Sequence, residues 1–399
     1  MKKAFIQTLL ACSLAAAAAA PPAFEPLPDG LRLLSRKGID AVYAVEPAEA
    51  EKEFRLALRK YPGHPFPHFG LALAKWAEFE YLEDESSPAL AADYAALLDT
   101  AQAAGEKWLE AHPGDANACL CLGGIYGLRA RQAGQRHRWL KAYLNGRKAV
   151  SITRRALRIA PGLYDAYLGL GLYEYYAGML PGVVKVLARL MVSGNAETGL
   201  RYLALCRDKG DFNALAARLF LLDIRLQPGP YSDPALALKW ARELRAEFPN
   251  QPQMRFLEIL ALYADKKYGE ARAETLAYLR AVQSGKPGYR RRFLPRVYTA
   301  LGAASLAEKK YDEAAVYFAR GAATLKDAPG QPPSRWGVWA LVKLGNVYDL
   351  KGMRARALEY YREAGAYRDD WGFSQPIGRY LDKPFTEAEL PGRLGPPQY

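Results

Sequence analysis

The stretch RVYTALGAASLAEKKYDEAAVYFARGAATL, Arg296 to Leu325, decides the fold. Two apolar patterns run through it, separated by the polar Glu308-Lys309-Lys310. Tyr298, Leu301 and Gly302 fall on the first pattern; Tyr311, Ala314, Phe318 and Gly321 fall on the second. Steps of three and four residues return to one side of an α-helix, so each pattern predicts an amphipathic helix. A small residue on one helix opposite a large ring on the other lets two backbones approach while the ring fills the gap. The expected unit is a helical hairpin.

The pattern recurs. Leu344, Gly345 and Tyr348 are followed by Ala357, Tyr361 and Ala364. Upstream, Gly38 precedes Ala50, Phe54, Ala57 and Pro62, and Leu122-Gly123 and Tyr126 precede Ala149, Ala156 and Pro161. Tyr167, Leu170 and Gly171 precede Gly199, Leu203 and Cys206. Weaker units over 65–113, 214–249 and 252–283 keep the helical period and lose the Leu-Gly pair. Together these residues resemble the tetratricopeptide repeat, a helix–turn–helix of about 34 residues. The resemblance implies an all-α, right-handed superhelical solenoid over 31–371, in which each hairpin covers the apolar side left bare by the one before. It also implies a non-catalytic scaffold that binds a partner segment through its concave groove. YDAYLGLGLYEYYAGMLPGVVKVL (164–187) and YLDKPF (380–385) are similar to exported bacterial repeat proteins related to the inclusion-body clearance repeat proteins.

The N-terminus speaks to compartment. Lys2 and Lys3, an apolar run to Ala20 and many small residues form the pattern of a secretory signal peptide over 1–20, with 21–30 as a short linker. The expected location is periplasmic or outer-membrane-associated. Cys12, in LLAC, loosely resembles a lipoprotein box, but the apolar run before it is short and alanines follow it, which argues against a lipid anchor. Cys119, Cys121 and Cys206 occupy alanine-like helical positions and read as small core hydrophobes. Cys119 and Cys121 are two apart on a helix and should point in different directions.

The chain has 399 residues and a formal net charge of +13, which losing Lys2 and Lys3 takes to +11. Such a balance favours acidic partners, and export argues against nucleic acid. Between Ala116 and Tyr164 there is no Asp or Glu, yet Arg129, Arg131, Arg136, Arg138, Lys141, Arg147, Lys148, Arg154, Arg155 and Arg158 all fall there. Acids and bases interleave on an ordinary solvated face, so this run predicts an acidic protein segment as partner or, in the alternative, an anionic membrane or envelope polymer. A second basic cluster is KPGYRRRF, Lys286 to Phe293.

The insertion 177–194 contains Lys185 and Arg189 on one stripe of an otherwise apolar helix, broken from α-helical continuity upstream by Pro181-Gly182. It is too short to span a bilayer, and it reads as a lid or a buttress. Aromatic residues outside the repeat register, Tyr175, Tyr176, Trp139, Trp336 and Trp339, are candidates for the groove wall, with Tyr176 and Trp339 expected on the concave side. Glu174, set among tyrosines, reads as a carboxylate paired with a nearby cation. The four histidines make no helix-face pair, and no nucleophile elbow, P-loop or metalloprotease motif is present. The sequence therefore calls for neither a catalytic group, nor a metal, nor a cofactor. Residues 372–399 are expected to cap the array or hang from it.

Overall fold

A computed structural model describes residues 26–79, 87–136, 138–179, 194–326, 333–367 and 372–396. Among the described residues there are seventeen α-helices: α1 Asp29–Tyr43, α2 Pro47–Lys60, α3 Pro65–Ala77, α4 Pro88–Ala111, α5 Ala116–Gln135, α6 Trp139–Ile159, α7 Ala166–Gly178, α8 Ala196–Lys209 and α9 Ala214–Leu226, then α10 Pro234–Glu247, α11 Pro252–Ala264, α12 Tyr268–Gln283, α13 Leu294–Ala307, α14 Tyr311–Ala323, α15 Arg335–Leu350, α16 Arg354–Gly365 and α17 Ser374–Asp382. Among the described residues there is no strand.

Local sequence sets the helix starts. Proline stands in the first turn of α2, α3, α4, α10, α11 and α13, where its missing N–H costs nothing. Asp115, Asn195 and Asp233 accept hydrogen bonds from Ala118, Thr198 and Leu236 backbone N–H groups at 2.9, 2.8 and 3.0 Å.

Each helix packs on its chain neighbours, and the closest second-neighbour packing joins odd helices: α1 to α3, α3 to α5 and α13 to α15. A curved stack brings its inner row together and splays its outer row, so the odd helices line the concave face and the even helices the convex one. Inside the hairpins the glycine–aromatic reading holds. A Cβ on Gly38 would stand 2.6 Å from Phe54 Cζ, and one on Gly302 would stand 2.7 Å from Phe318 Cδ1. Neither fits, and both rings are fully buried. Cys119 and Cys121, both buried, pack into two different core clusters, on opposite sides of α5.

Four hairpins share one turn. Val45, Lys266, Lys309 and Gly352 take φ of 59°, 60°, 59° and 73°, and in each the next residue's N–H returns to a carbonyl five positions back, as from Glu46 to Ala41 and Met353 to Tyr348. This is the left-handed cap that stops one helix and launches the next. It closes the first, sixth, seventh and eighth hairpins. The third hairpin makes the same return, from the Arg138 N–H to the Ala133 carbonyl at 2.9 Å, and the fifth uses the longer connection 227–233.

The array coils far enough for its beginning to meet its middle. Arg32 and Arg36 of α1 pair with Asp211 in the α8–α9 turn, and Phe66 at the start of α3 packs on Phe212 with ring centroids 5.1 Å apart. Asp165, buried at the start of α7, accepts the Asn213 N–H at 2.7 Å and fixes that turn.

Candidate interaction surfaces

The cations between Ala116 and Tyr164 do not form one patch; the backbone sends them three ways. Arg129 turns toward α4 and pairs with Asp99, its side chain largely buried. Arg131 lies over the Trp76 ring, 5.8 Å from its centroid, at the inner face. The α6 cations ring the convex side. Lys148 reaches the Tyr126 ring at 5.0 Å, Arg147 the Tyr143 ring at 5.8 Å, and Arg155 donates to the Pro113 carbonyl at 2.6 Å. Arg136, Arg138 and Lys141 are exposed near the α5–α6 turn. They are not one contact: Arg129 and Arg131 leave α5 toward α4 and the inner face, while the α6 cations lie on the outer row.

Glu174 behaves as a paired carboxylate. It sits 3.4 Å from Arg154 and accepts the Asn195 N–H at 3.0 Å at the head of α8. Lys185 and Arg189, and most of the insertion, fall outside the described residues, and so does the side chain of Trp139.

The aromatic candidates separate by burial. Tyr175 is buried against Tyr231, ring centroids 5.9 Å apart, and is core rather than surface. Tyr176, the next residue, is half exposed. It belongs to a rim built from the C-terminal ends of successive inner helices: Trp76 of α3, Arg131 of α5, Tyr176 of α7 and Asp223 of α9. Burial raises the Asp223 carboxyl above its usual range, against the pull of a Gln227 amide bond at 3.1 Å and the Arg131 charge. Beside Arg131, the Gln132 side-chain nitrogen is buried with no hydrogen-bond partner among the described residues. Sequence reasoning picked out Arg131 and Tyr176 but not Trp76, Gln132 or Asp223, which sit in a degenerate unit or carry no signal beyond their position on an inner helix.

Trp339 was expected on an open concave wall. It does lie on an inner helix, but it is buried, packed on Phe373 with centroids 5.4 Å apart and approached by the Lys343 amine at 5.2 Å. The chain's own C-terminus covers this part of the groove. After α17, whose Tyr380 stacks on Tyr361 at 5.4 Å, residues 383–396 run back along the inner face. The Phe385 N–H donates to Asp349 at 2.8 Å, and the Tyr263 hydroxyl on α11 donates to the Pro391 and Gly392 carbonyls at 2.9 and 3.1 Å. Leu394 is buried in the main core cluster, and Gly395 lies against the Trp336 ring so closely that a Cβ there would stand 2.7 Å from it. Lys343 is buried beneath Gly392. Burial lowers its amine to about 7, the Arg393 charge acts in the same direction, and Glu389 opposes both.

This packing fixes the fold. The chain is a solenoid of tetratricopeptide-like hairpins. Two solved structures are similar to it. A tetratricopeptide repeat protein from Parabacteroides merdae is 15% identical, with 74% of this chain and 93% of that chain covered and a TM-score of 0.34. Yeast Tom70 is 10% identical, with 89% of each chain covered and a TM-score of 0.31. No protein-family model matches the chain, and no curated protein does. The helical packing above stands without them. Among the described residues no group of three His, Cys, Asp or Glu side chains could hold a metal ion, and no helix is long and apolar enough to cross a membrane.

Proposed function

We propose that this protein is a non-catalytic scaffold of the cell envelope that holds an extended segment of a protein partner along its concave groove. One observation carries the reading: the groove of the last units already holds an extended peptide, the chain's own C-terminus. It grips that segment through main-chain carbonyls and flat aromatic walls, a mode that reads backbone shape more than sequence. The same inner row continues through α3, α5, α7 and α9, where the rim of Trp76, Arg131, Tyr176 and Asp223 offers aromatic and charged groups. Aromatic residues and arginine are the side chains that most often anchor a protein partner. An acidic or hydroxyl-rich segment suits Arg131. The basic start and small-residue run at the N-terminus support export, and the intact mass of the mature protein tests both cleavage near Ala20 and modification of Cys12.

A photo-crosslinking amino acid at Tyr176, introduced in the native host, is expected to trap a discrete envelope protein. The same group at Val316, exposed on the outer row, is expected not to trap it. Identical crosslinks at the two positions, or none at Tyr176, would end the reading.

A further inference from the structure

The convex side of α6 carries a second surface with a different chemistry. Leu140, Leu144, Arg147, Ser151, Arg154 and Arg158 follow one another at steps of four and three residues, so they form one stripe along the helix, and all six are exposed. The stripe is about 27 Å long at an α-helical rise. Leu140 is 68% exposed and Leu144 52%, the first and third most exposed of the large hydrophobic side chains described. Val150, Thr153 and Ala156 on the opposite side are buried, so the helix cannot rotate to hide the leucines. Lys141 and Lys148, both exposed, follow the stripe on its flank one residue over. The nearby acids are engaged: Asp99 with Arg129, Glu106 with the Tyr126 hydroxyl at 2.6 Å, Glu174 with Arg154 and the Asn195 N–H.

We infer that this face of α6 docks on an anionic bilayer surface, with Leu140 and Leu144 entering the headgroup–acyl boundary and the flanking cations meeting lipid phosphates. Two leucines alone hold a protein to a membrane weakly, and cations alone hold it in a salt-dependent way. The two together are what interfacial attachment requires. A bilayer fits better than a protein partner because α6 belongs to the outer row. Its stripe faces away from the groove, and it pairs exposed leucines with flanking cations, the complement of an anionic headgroup layer over an apolar interior. The inference is independent of groove binding, since it uses the opposite side of the array.

The test is co-sedimentation of the mature full-length chain with vesicles of phosphatidylcholine, with and without about one-third phosphatidylglycerol, at about 0.05 M and about 0.5 M salt. Partitioning is expected only with the anionic lipid and is expected to fall at high salt. Joint Lys141→Glu, Arg147→Glu and Lys148→Glu changes should lower it at least about 10-fold. Joint Leu140→Ser and Leu144→Ser changes should lower it about 5-fold with net charge unchanged. Arg320→Glu, Lys326→Glu and Arg362→Glu, which alter net charge equally on exposed positions elsewhere, should stay within about 2-fold of the parent. All substituted positions are exposed, and unchanged helical circular dichroism confirms that the fold is retained. Absence of binding to anionic vesicles, equal losses in the two charge-reversed proteins, or indifference to the leucine pair would each overturn the inference.

Discussion

The sixth to eighth hairpins and the second to fifth are built from the same unit and present different inner faces. In the later group the two helices of a hairpin meet through one compact left-handed turn, as at Lys266, Lys309 and Gly352, and the inner face is covered by the C-terminal segment. One core cluster runs from Leu222, in the fifth hairpin, through this group to Leu394. In the earlier group α4, α5 and α6 are longer, at 24, 20 and 21 residues, and the apolar interior divides into smaller clusters. At the C-terminal ends of the earlier inner helices Trp76, Arg131 and Tyr176 gather on the rim. The repeat supplies the stack, and the side chains at the inner helix ends supply the surface.

The largest expected effect tests how tightly the later group is packed. Gly345→Val would drive a side chain into the Tyr361 ring, which is fully buried and holds Asn346 and Asp349 through its hydroxyl at 2.9 and 2.8 Å. With no room to relax, the expected loss is about 3 kcal/mol in chemical denaturation. A loss below about 1 kcal/mol would mean that the later core yields as readily as a loose one.

Next comes Lys343. Its amine titrates at about 7 in the folded protein, against 10.5 unperturbed. Between those values the unfolded chain binds the additional proton, so stability rises with pH across the window and carries the full cost of the buried ammonium below it. Lys343→Met removes this contribution. The substituted protein should be more stable than the parent at pH 7, and its advantage should shrink by up to about 1.4 kcal/mol per pH unit toward pH 9. Parallel stability–pH curves for the two proteins would show that the covering segment leaves Lys343 in water.

Tyr263→Phe deletes one hydroxyl that holds two carbonyls of the C-terminal segment. It should loosen that segment by about 1 kcal/mol while the helices stay intact. Faster amide exchange at Arg393 and Leu394, with α11 unaffected, is the expected readout. Smallest is Lys266→Gly. Removing the cost of a side-chain-bearing residue at φ 60° should raise stability by a few tenths of a kcal/mol, after the greater freedom of glycine in the unfolded chain is deducted. A decrease would mean that the compact turn draws on the Lys266 side chain.

The hairpins were legible because their signal is local and periodic. Gly38 with Phe54, and Gly302 with Phe318, announce a close helix pair by spacing alone, and even the degenerate units kept enough period to be placed. The surfaces were less legible. Arg129 and Arg131 are two residues apart in sequence and point respectively to the α4 face and the groove, because each residue turns 100° around the helix. Tyr175 and Tyr176 are adjacent, and one is core while the other is rim. The fate of Trp339 depended on residues 383–396, whose Pro, Gly and Arg composition suggests a loose end, and on where that end folds back.

The sequence by itself determined the helical hairpin, its repetition and the small-against-large packing within it, since these follow from residues close together along the chain. Only the tertiary structure decided which cations meet, that the C-terminus occupies the groove of the last units, and that Leu140 and Leu144 remain in water on the outer row. Those outcomes depend on the accumulated rotation from one hairpin to the next. Small angles summed over many interfaces bring distant residues together, and no local pattern encodes the sum.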